Sequence, residues 1–261
     1  MRLENNAEPV RYCNVQAAGW TRNTQAVRYP TAWRYGRAVP KTSFQRARSE
    51  EQKQERASAL LDAARSLASE TGVASVTLTA MADRAGIHHS AVRRYYTSFK
   101  EVLLLLGEEG WRRWATGVCD SLDATDQAPP AQIATIMAEH FARDPLFCDL
   151  QVNLPLHLER EVEVEQVAAF RRVAYESVRS VAQAIQRACR LFDEESAFDA
   201  IAAACSLAAM FWQNAHPPKK VAEAIGDDVL SPNWNMDFLP ALTRVLAATC
   251  VGLAIRAVDG L

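Results

Sequence analysis

The chain has 261 residues, 49% of them hydrophobic, and its 29 Lys+Arg and 31 Asp+Glu leave a formal net charge of −2. That length buries a large core in one or two domains, and sparse glycine with abundant alanine favours an all-α fold. No apolar run approaches bilayer-spanning length and the amino terminus lacks a signal peptide's apolar core, so no membrane partner is expected and the expected location is the cytoplasm.

The six cysteines (Cys13, Cys119, Cys148, Cys189, Cys205 and Cys250) contain no C-x-x-C pair and read as buried thiols in a reducing compartment, not a disulfide frame or zinc site. Charge divides along the chain. Residues 1–105 hold 16 Lys+Arg and 9 Asp+Glu, a net of +7, whereas residues 106–261 hold 13 and 22, a net of −9. A basic front joined to an acidic remainder suits phosphate contact at one end and a different task at the other.

Residues 1–48 carry Arg2, Arg11, Arg22, Arg28, Arg34, Arg37, Lys41, Arg46 and Arg48 against Glu4 and Glu8, with Pro30 and Pro40 interrupting any period. This segment reads as a mostly disordered basic extension. Two readings stand: an arm laid along a nucleic-acid groove, or a stretch without a role, with translation starting near Val39-Pro40-Lys41-Thr42.

Ser49-Glu50-Glu51-Gln52 has the pattern of a capping box. The stripe Ala57, Leu60, Leu61, Ala64, Leu67, Ala68 then predicts a helix from about Glu50 to Glu70, stopped by Thr71-Gly72. Next comes the most informative stretch. Thr77 is a plausible N-cap, and Leu78, Met81, Ala82 and Ala85 recur on one helical face. Gly86 supplies the left-handed turn residue and Ile87 an apolar plug beneath it. A second short helix follows, capped by Ser90, His88 or His89, with Val92 and Tyr96 turned to the core. His89, Ser90, Ala91, Arg93, Arg94 and Tyr95 remain on the outer side, and these types hydrogen-bond to base edges and phosphates. Two short helices joined through a glycine turn make a helix-turn-helix, whose second helix enters the DNA major groove. Phe99-Lys100-Glu101-Val102 then opens a further helix that runs through Trp111 and Trp114.

Leu61-Asp62-Ala63-Ala64, Glu70-Thr71-Gly72, Val76-Thr77-Leu78, Met81-Ala82-Asp83-Arg84-Ala85-Gly86-Ile87 and Tyr95-Tyr96-Thr97-Ser98 resemble, in order and spacing, the DNA-binding domain of tetracycline-repressor (TetR) family regulators, over roughly Arg48 to Leu106. The resemblance implies an all-α chain: a three-helix helix-turn-helix domain over 49–105, and a helical ligand-binding and dimerisation domain over 106–261. It implies DNA contacts by Thr77, Thr79, His88, His89, Ser90, Ala91, Arg93, Arg94, Tyr95 and Lys100. Two positions depart from the family pattern. Members usually place a phosphate-contacting tyrosine where Arg93 stands, a task for which arginine brings a full charge. They usually place a lysine where Phe99 stands, with Lys100 here one residue later.

The remaining chain reads as helices over Ala131–Ala142, Pro145 to about Leu158, Glu161–Arg190, Asp193 to about Asn214 and Ala241–Val258, punctuated by Pro129-Pro130, Asp144-Pro145, Pro217-Pro218 and Pro240. The acidic run Glu159 to Glu165 suits a helix start. Ala200, Ala203, Ala204, Leu207, Ala208 and Phe211 stripe one helix, and Leu242, Val245, Leu246, Thr249, Gly252 and Leu253 the last. In the resembled family the last two long helices pair across a twofold axis; the alternative is that these stripes close the chain's own core.

Candidate effector-pocket residues are Trp111, Trp114, His140, Phe141, Phe147, Asn153, His157, Phe170, Tyr175, Trp212 and Gln213, a set suited to a small hydrophobic or aromatic molecule. There is no G-x-S-x-G, no H-E-x-x-H, no glycine-rich phosphate loop and no paired metal spacing among His88, His89, His140, His157 and His216, so neither an enzyme nor a cofactor or metal is expected. The expected protein is a ligand-responsive repressor that binds a palindromic double-stranded operator as a homodimer. The alternative is an activator, or a DNA-associated protein of the same fold without an inducer.

Overall fold

The structure, a computed structural model, describes residues 43–153, 162–217 and 237–259. The fold is all-α, with nine α-helices and no strand among the described residues. The first is α1 (Ser43–Thr71), which starts earlier than the capping-box pattern at Ser49–Gln52 predicts. No glycine or proline lies between residues 43 and 49, so a helix nucleated downstream propagates through them. The predicted boundary at residue 48 thus falls inside α1, and residues 1–42 of the expected extension lie outside the described residues. Leu60, Ala64 and Ala68 form the buried stripe of α1, whereas every residue from Glu50 to Arg56 is exposed.

A 3-10 turn (Val73–Ser75) leads into α2 (Leu78–Ala85) and α3 (His89–Val92). Ser98 then caps α4 (Phe99–Asp123) by accepting from the Glu101 N–H at 3.2 Å, while the Glu101 carboxylate accepts from the Thr97 N–H at 2.8 Å. This is a capping-box variant, in which the carboxylate reaches the N–H of the residue before the cap instead of that of Ser98 itself. α4 is the common spine: it touches α1 and packs along α7 (Val164–Ala188), with α5 (Pro130–Ala142) and α6 (Pro145–Asn153) beside it. Asp144 caps α6 through the Phe147 N–H (3.0 Å), and Asp193 caps α8 (Glu194–Ala215) through the Ser196 N–H (2.8 Å).

Several predicted bounds move. α6 is described only to Asn153, since residues 154–161 lie outside the described residues, and α7 spans Val164–Ala188 instead of Glu161–Arg190. The last helix, α9 (Phe238–Asp259), begins before Pro240 rather than after it. A proline in the first turn removes an N–H that has no intrahelical partner anyway.

α9 packs against α5 and α8. The two apolar stripes divide. Ala200, Ala204, Ala208, Leu242 and Leu246 are buried within the chain itself, as the core alternative expects, whereas Ala203, Leu207, Phe211, Val245, Thr249 and Leu253 are half-buried and Gly252 is exposed. The solvent face lies one step round each helix: Ala202, Ser206 and Met210 on α8, and Arg244, Ala248, Val251, Gly252 and Ile255 on α9. Contrary to expectation, one helix reaches bilayer length. Phe238–Arg256 is long and apolar enough by length and composition, with mean hydropathy 1.8 and 33% of that window buried. Its apolarity arises from having one inner face against α5 and α8 and one largely apolar outer face.

Candidate nucleic-acid interface

The helix-turn-helix is held by local bonds. Thr77 caps α2, its hydroxyl oxygen accepting from the Ala80 N–H at 3.1 Å. Gly86 has φ 64° and ψ 29°, the left-handed conformation that L side chains avoid. Its N–H donates to the Asp83 carbonyl (3.2 Å) and that of Ile87 to the Ala82 carbonyl (2.9 Å), which is the Schellman pattern with Ile87 partly buried beneath the turn.

α3 is a single α-turn continued by tighter bonds, Arg94 N–H to Ala91 O (3.1 Å) and Tyr95 N–H to Val92 O (2.9 Å). Its cap is His88, whose Nδ1 accepts from the Ser90 N–H at 3.3 Å and lies 2.9 Å from the Ser90 hydroxyl. That leaves Nε2 as the donor of the ring. Val92 and Tyr96 are buried, and the Tyr96 hydroxyl donates to the Ala57 carbonyl of α1 at 3.0 Å, pinning the end of α3 to α1.

The side chains predicted to meet DNA lie together on the outer surface. Thr77, Thr79, His88, His89, Ser90, Arg93 and Arg94 are exposed; Ala91, Tyr95 and Lys100 are half-buried. His89 Nε2 lies 3.3 Å from an Asp83 carboxylate oxygen, and Lys100 Nζ sits 5.9 Å from the Phe99 ring centroid.

Charge pairing sorts the cations of this region. Arg84 makes two 2.7 Å bonds to Glu70, which tie α2 to α1 and hold the Glu70 carboxyl below its usual range. Arg65 bonds Glu109 of α4 at 2.7 Å and also pairs with Asp62. Lys53, Arg56, Arg93 and Arg94 pair with no carboxylate among the described residues. Unpaired cations gathered on one surface, above a buried anchor, are arranged for an anion from outside. Lys53 and Arg56 were missed by the sequence reading; two basic residues three apart on a wholly exposed helical turn were the available signal.

The residues predicted to line an effector pocket do not form one wall. Trp111, Trp114, Phe141 and Phe147 are packed on each other as a closed cluster, with ring centroids 4.9–5.9 Å apart. Gly110 permits it, since a Cβ there would lie 2.8 Å from Phe147 Cγ. Phe170 is buried, and His140 packs over Gly117 with Nε2 2.9 Å from the Ser121 hydroxyl. Tyr175 is 59% exposed, because α7 turns Phe170, Ser177, Val181 and Ile185 inward and residue 175 away from them. His157 lies outside the described residues.

Asn153, Trp212 and Gln213 instead share a cleft of about 870 Å³ at the junction of the first domain and the rest, with Gly72 and Val73 opposite. Asp149 is the hub of this junction. It accepts from the Val73 N–H at 2.7 Å, from Gln213 Nε2 at 3.2 Å and from Asn153 Nδ2 at 3.3 Å, so one carboxylate joins the 3-10 turn, α6 and α8.

A capped α2, a left-handed turn and a short outward α3 on a larger helical body define a helix-turn-helix regulator. Sequence comparison places the two halves in one family. Residues 60–106 match the bacterial regulatory proteins of the tetR family, and residues 108–257 match the tetracyclin repressor-like C-terminal domain. The chain therefore belongs to the TetR family of DNA-binding regulators. No curated protein matches it in sequence. Among solved structures it is similar to the fatty acid degradation regulator FadR from Bacillus halodurans, at 13% identity over 76% of this chain and 95% of that chain with a TM-score of 0.50, a likeness of fold alone. It is also similar to RolR in complex with resorcinol, at 14% identity over 79% and 96% with a TM-score of 0.47.

Proposed function

We propose that the chain is a cytoplasmic, ligand-responsive repressor that binds a palindromic operator as a homodimer. The observation that carries this reading is the outer face of α3. There His88, Ser90, Arg93 and Arg94 offer hydrogen-bond donors, and the two arginines are unpaired among the described residues. Such donors suit guanine N7 and O6 and the flanking phosphates, with Arg93 in the phosphate role that a tyrosine usually has in this family. So short a helix reads few bases, which favours a twofold pair whose recognition helices lie about 34–36 Å apart. The apolar outer face of α8 and α9 is suited to form that pair.

The effector is a small molecule with an apolar body and a few polar groups, entering the regulatory domain near Asn153, Trp212 and Gln213. It acts by favouring a state in which the recognition helices no longer match successive grooves. Footprinting upstream of the chain's own coding region tests this. A protected inverted repeat is expected, absent in the R93A/R94A variant; protection that survives that double substitution at near-physiological salt would overturn the reading.

A further inference from the structure

We propose that the amino-terminal half of α1 is a second DNA-contacting element: the groove between α1 and α3, walled by Gln52, Lys53, Arg56, Arg94 and Tyr95, takes a phosphate run of the duplex that α3 reads. The inference rests on the DNA-binding reading of α3 and extends it to residues outside the family match, which begins only at residue 60.

The groove, of about 270 Å³, is walled by three cations and two neutral hydrogen-bonding side chains, with no carboxylate. Lys53, Arg56 and Arg94 pair with no acid among the described residues, although Arg65 and Arg84 nearby are both paired. Glu51 and Glu55 stand two residues either side of Lys53, about 200° round the helix, and so on its far side. Three like charges converging without a counter-charge repel one another, and an anion supplied from outside relieves that.

The backbone under the groove is also held in place before any ligand arrives. The buried Tyr96 hydroxyl holds the Ala57 carbonyl at 3.0 Å, and these two residues adjoin Tyr95 and Arg56 in sequence. This bond holds the backbone beneath Arg56 close to the backbone beneath Tyr95, so the two helices that carry the walls are already juxtaposed before binding. The turn Glu50–Arg56 is exposed throughout, so it has no core role to explain its charges.

Arg94 and Tyr95 belong both to this groove and to the α3 turn. A strand lying against the outer side of α3 therefore continues onto Arg56 and Lys53. An anion with repeated, evenly spaced phosphodiesters fits a surface continuous over two helices, and the duplex backbone is that anion.

Fluorescence anisotropy of the full chain on a labelled random-sequence duplex, and on its own upstream DNA, over a salt series tests this. K53A/R56A is expected to weaken both probes on the order of ten-fold at near-physiological salt. The log–log salt slope should shrink by about 0.9 for each phosphate that the variant no longer neutralises, with the thermal midpoint unchanged. The charge-keeping K53R/R56K should retain most of the slope. An unchanged slope in K53A/R56A, alongside clear weakening in R93A/R94A, overturns the α1 contact and leaves the regulator reading standing. Wild-type protein without affinity for either duplex overturns both.

Discussion

At the scale of single residues, the DNA-reading turn depends on one backbone conformation. Gly86 is left-handed, and the two hydrogen bonds that close α2 require it to be so. Nothing lies within 4 Å of where its Cβ would be, so the cost of a side chain there is purely conformational. Gly86→Ala should destabilise the fold by about 1–2 kcal/mol. The check is thermal unfolding, where a midpoint lower by several degrees is expected. An unchanged midpoint would mean that the turn relaxes to another shape. Space is decisive elsewhere: Gly110 leaves room for the Phe147 ring, and so allows α6 to close on the aromatic face of α4.

At the scale of elements, the junction between the two domains is polar and specific. The Asp149 carboxylate holds the N–H of buried Val73, which would otherwise lack an acceptor, together with the Gln213 side chain from the end of α8. A movement of α8 or α6 thus has a bonded route to the loop that starts the helix-turn-helix. A second element contact is pH-sensitive. His140 on α5 is partly buried over Gly117, and burial, helped by the charge of Arg143, lowers its pKa from the ordinary value near 6.5. The native state therefore takes up this proton at lower pH than the unfolded chain does. Between the lowered value and about 6.5 the unfolded chain holds more protons, so stability is fully present above that window and declines as pH falls through it. The thermal midpoint should decrease on acidification below about 6.5, and His140→Gln should flatten that part of the curve. An identical slope in the variant would assign the effect to other groups.

At the scale of the whole molecule, the outer face of α8 and α9 carries exposed Met210 (60%), Val251 (40%) and Ile255 (56%) beside Ala248 and Gly252. Small residues let a second pair of helices approach closely, and apolar area of this kind is seldom left to water on a soluble surface. In the proposed dimer each substitution occurs twice across the twofold axis. V251E/I255E should therefore sediment as a monomer and lose cooperative operator binding, while its helicity stays at the wild-type level, since neither side chain is buried within the chain. A dimer that persists in this variant would move the seam elsewhere.

The all-α class, the helix-turn-helix and most helix starts were legible in the sequence because they depend on neighbours a few residues away. Thr77, Gly86, Asp144 and Asp193 each act through a bond or a φ angle local to the chain, and Val92 and Tyr96 sit at helical spacing from one another. The bound of α1 was not legible, since the capping pattern at Ser49 competes with nothing that would stop a helix from Ser43. Nor was what covers the stripe of α8 at Ala200, Ala204 and Ala208. A stripe of small apolar residues suits a seam between copies and a chain's own core equally well by type, so only the packing of α9 and the other helices against α8 encloses these three within the chain. The aromatic residues on α4, α5 and α6 suit a cavity and a filled core equally well by type, and their closure follows from how near Gly110 lets two helices come. The grouping of Lys53 and Arg56 with Arg94 likewise requires two helices some forty residues apart to meet, fixed by the Tyr96–Ala57 bond. Sequence alone thus determined what short-range forces determine, while contacts between distant segments, which depend on the shape of the assembled core, were settled only by the tertiary structure.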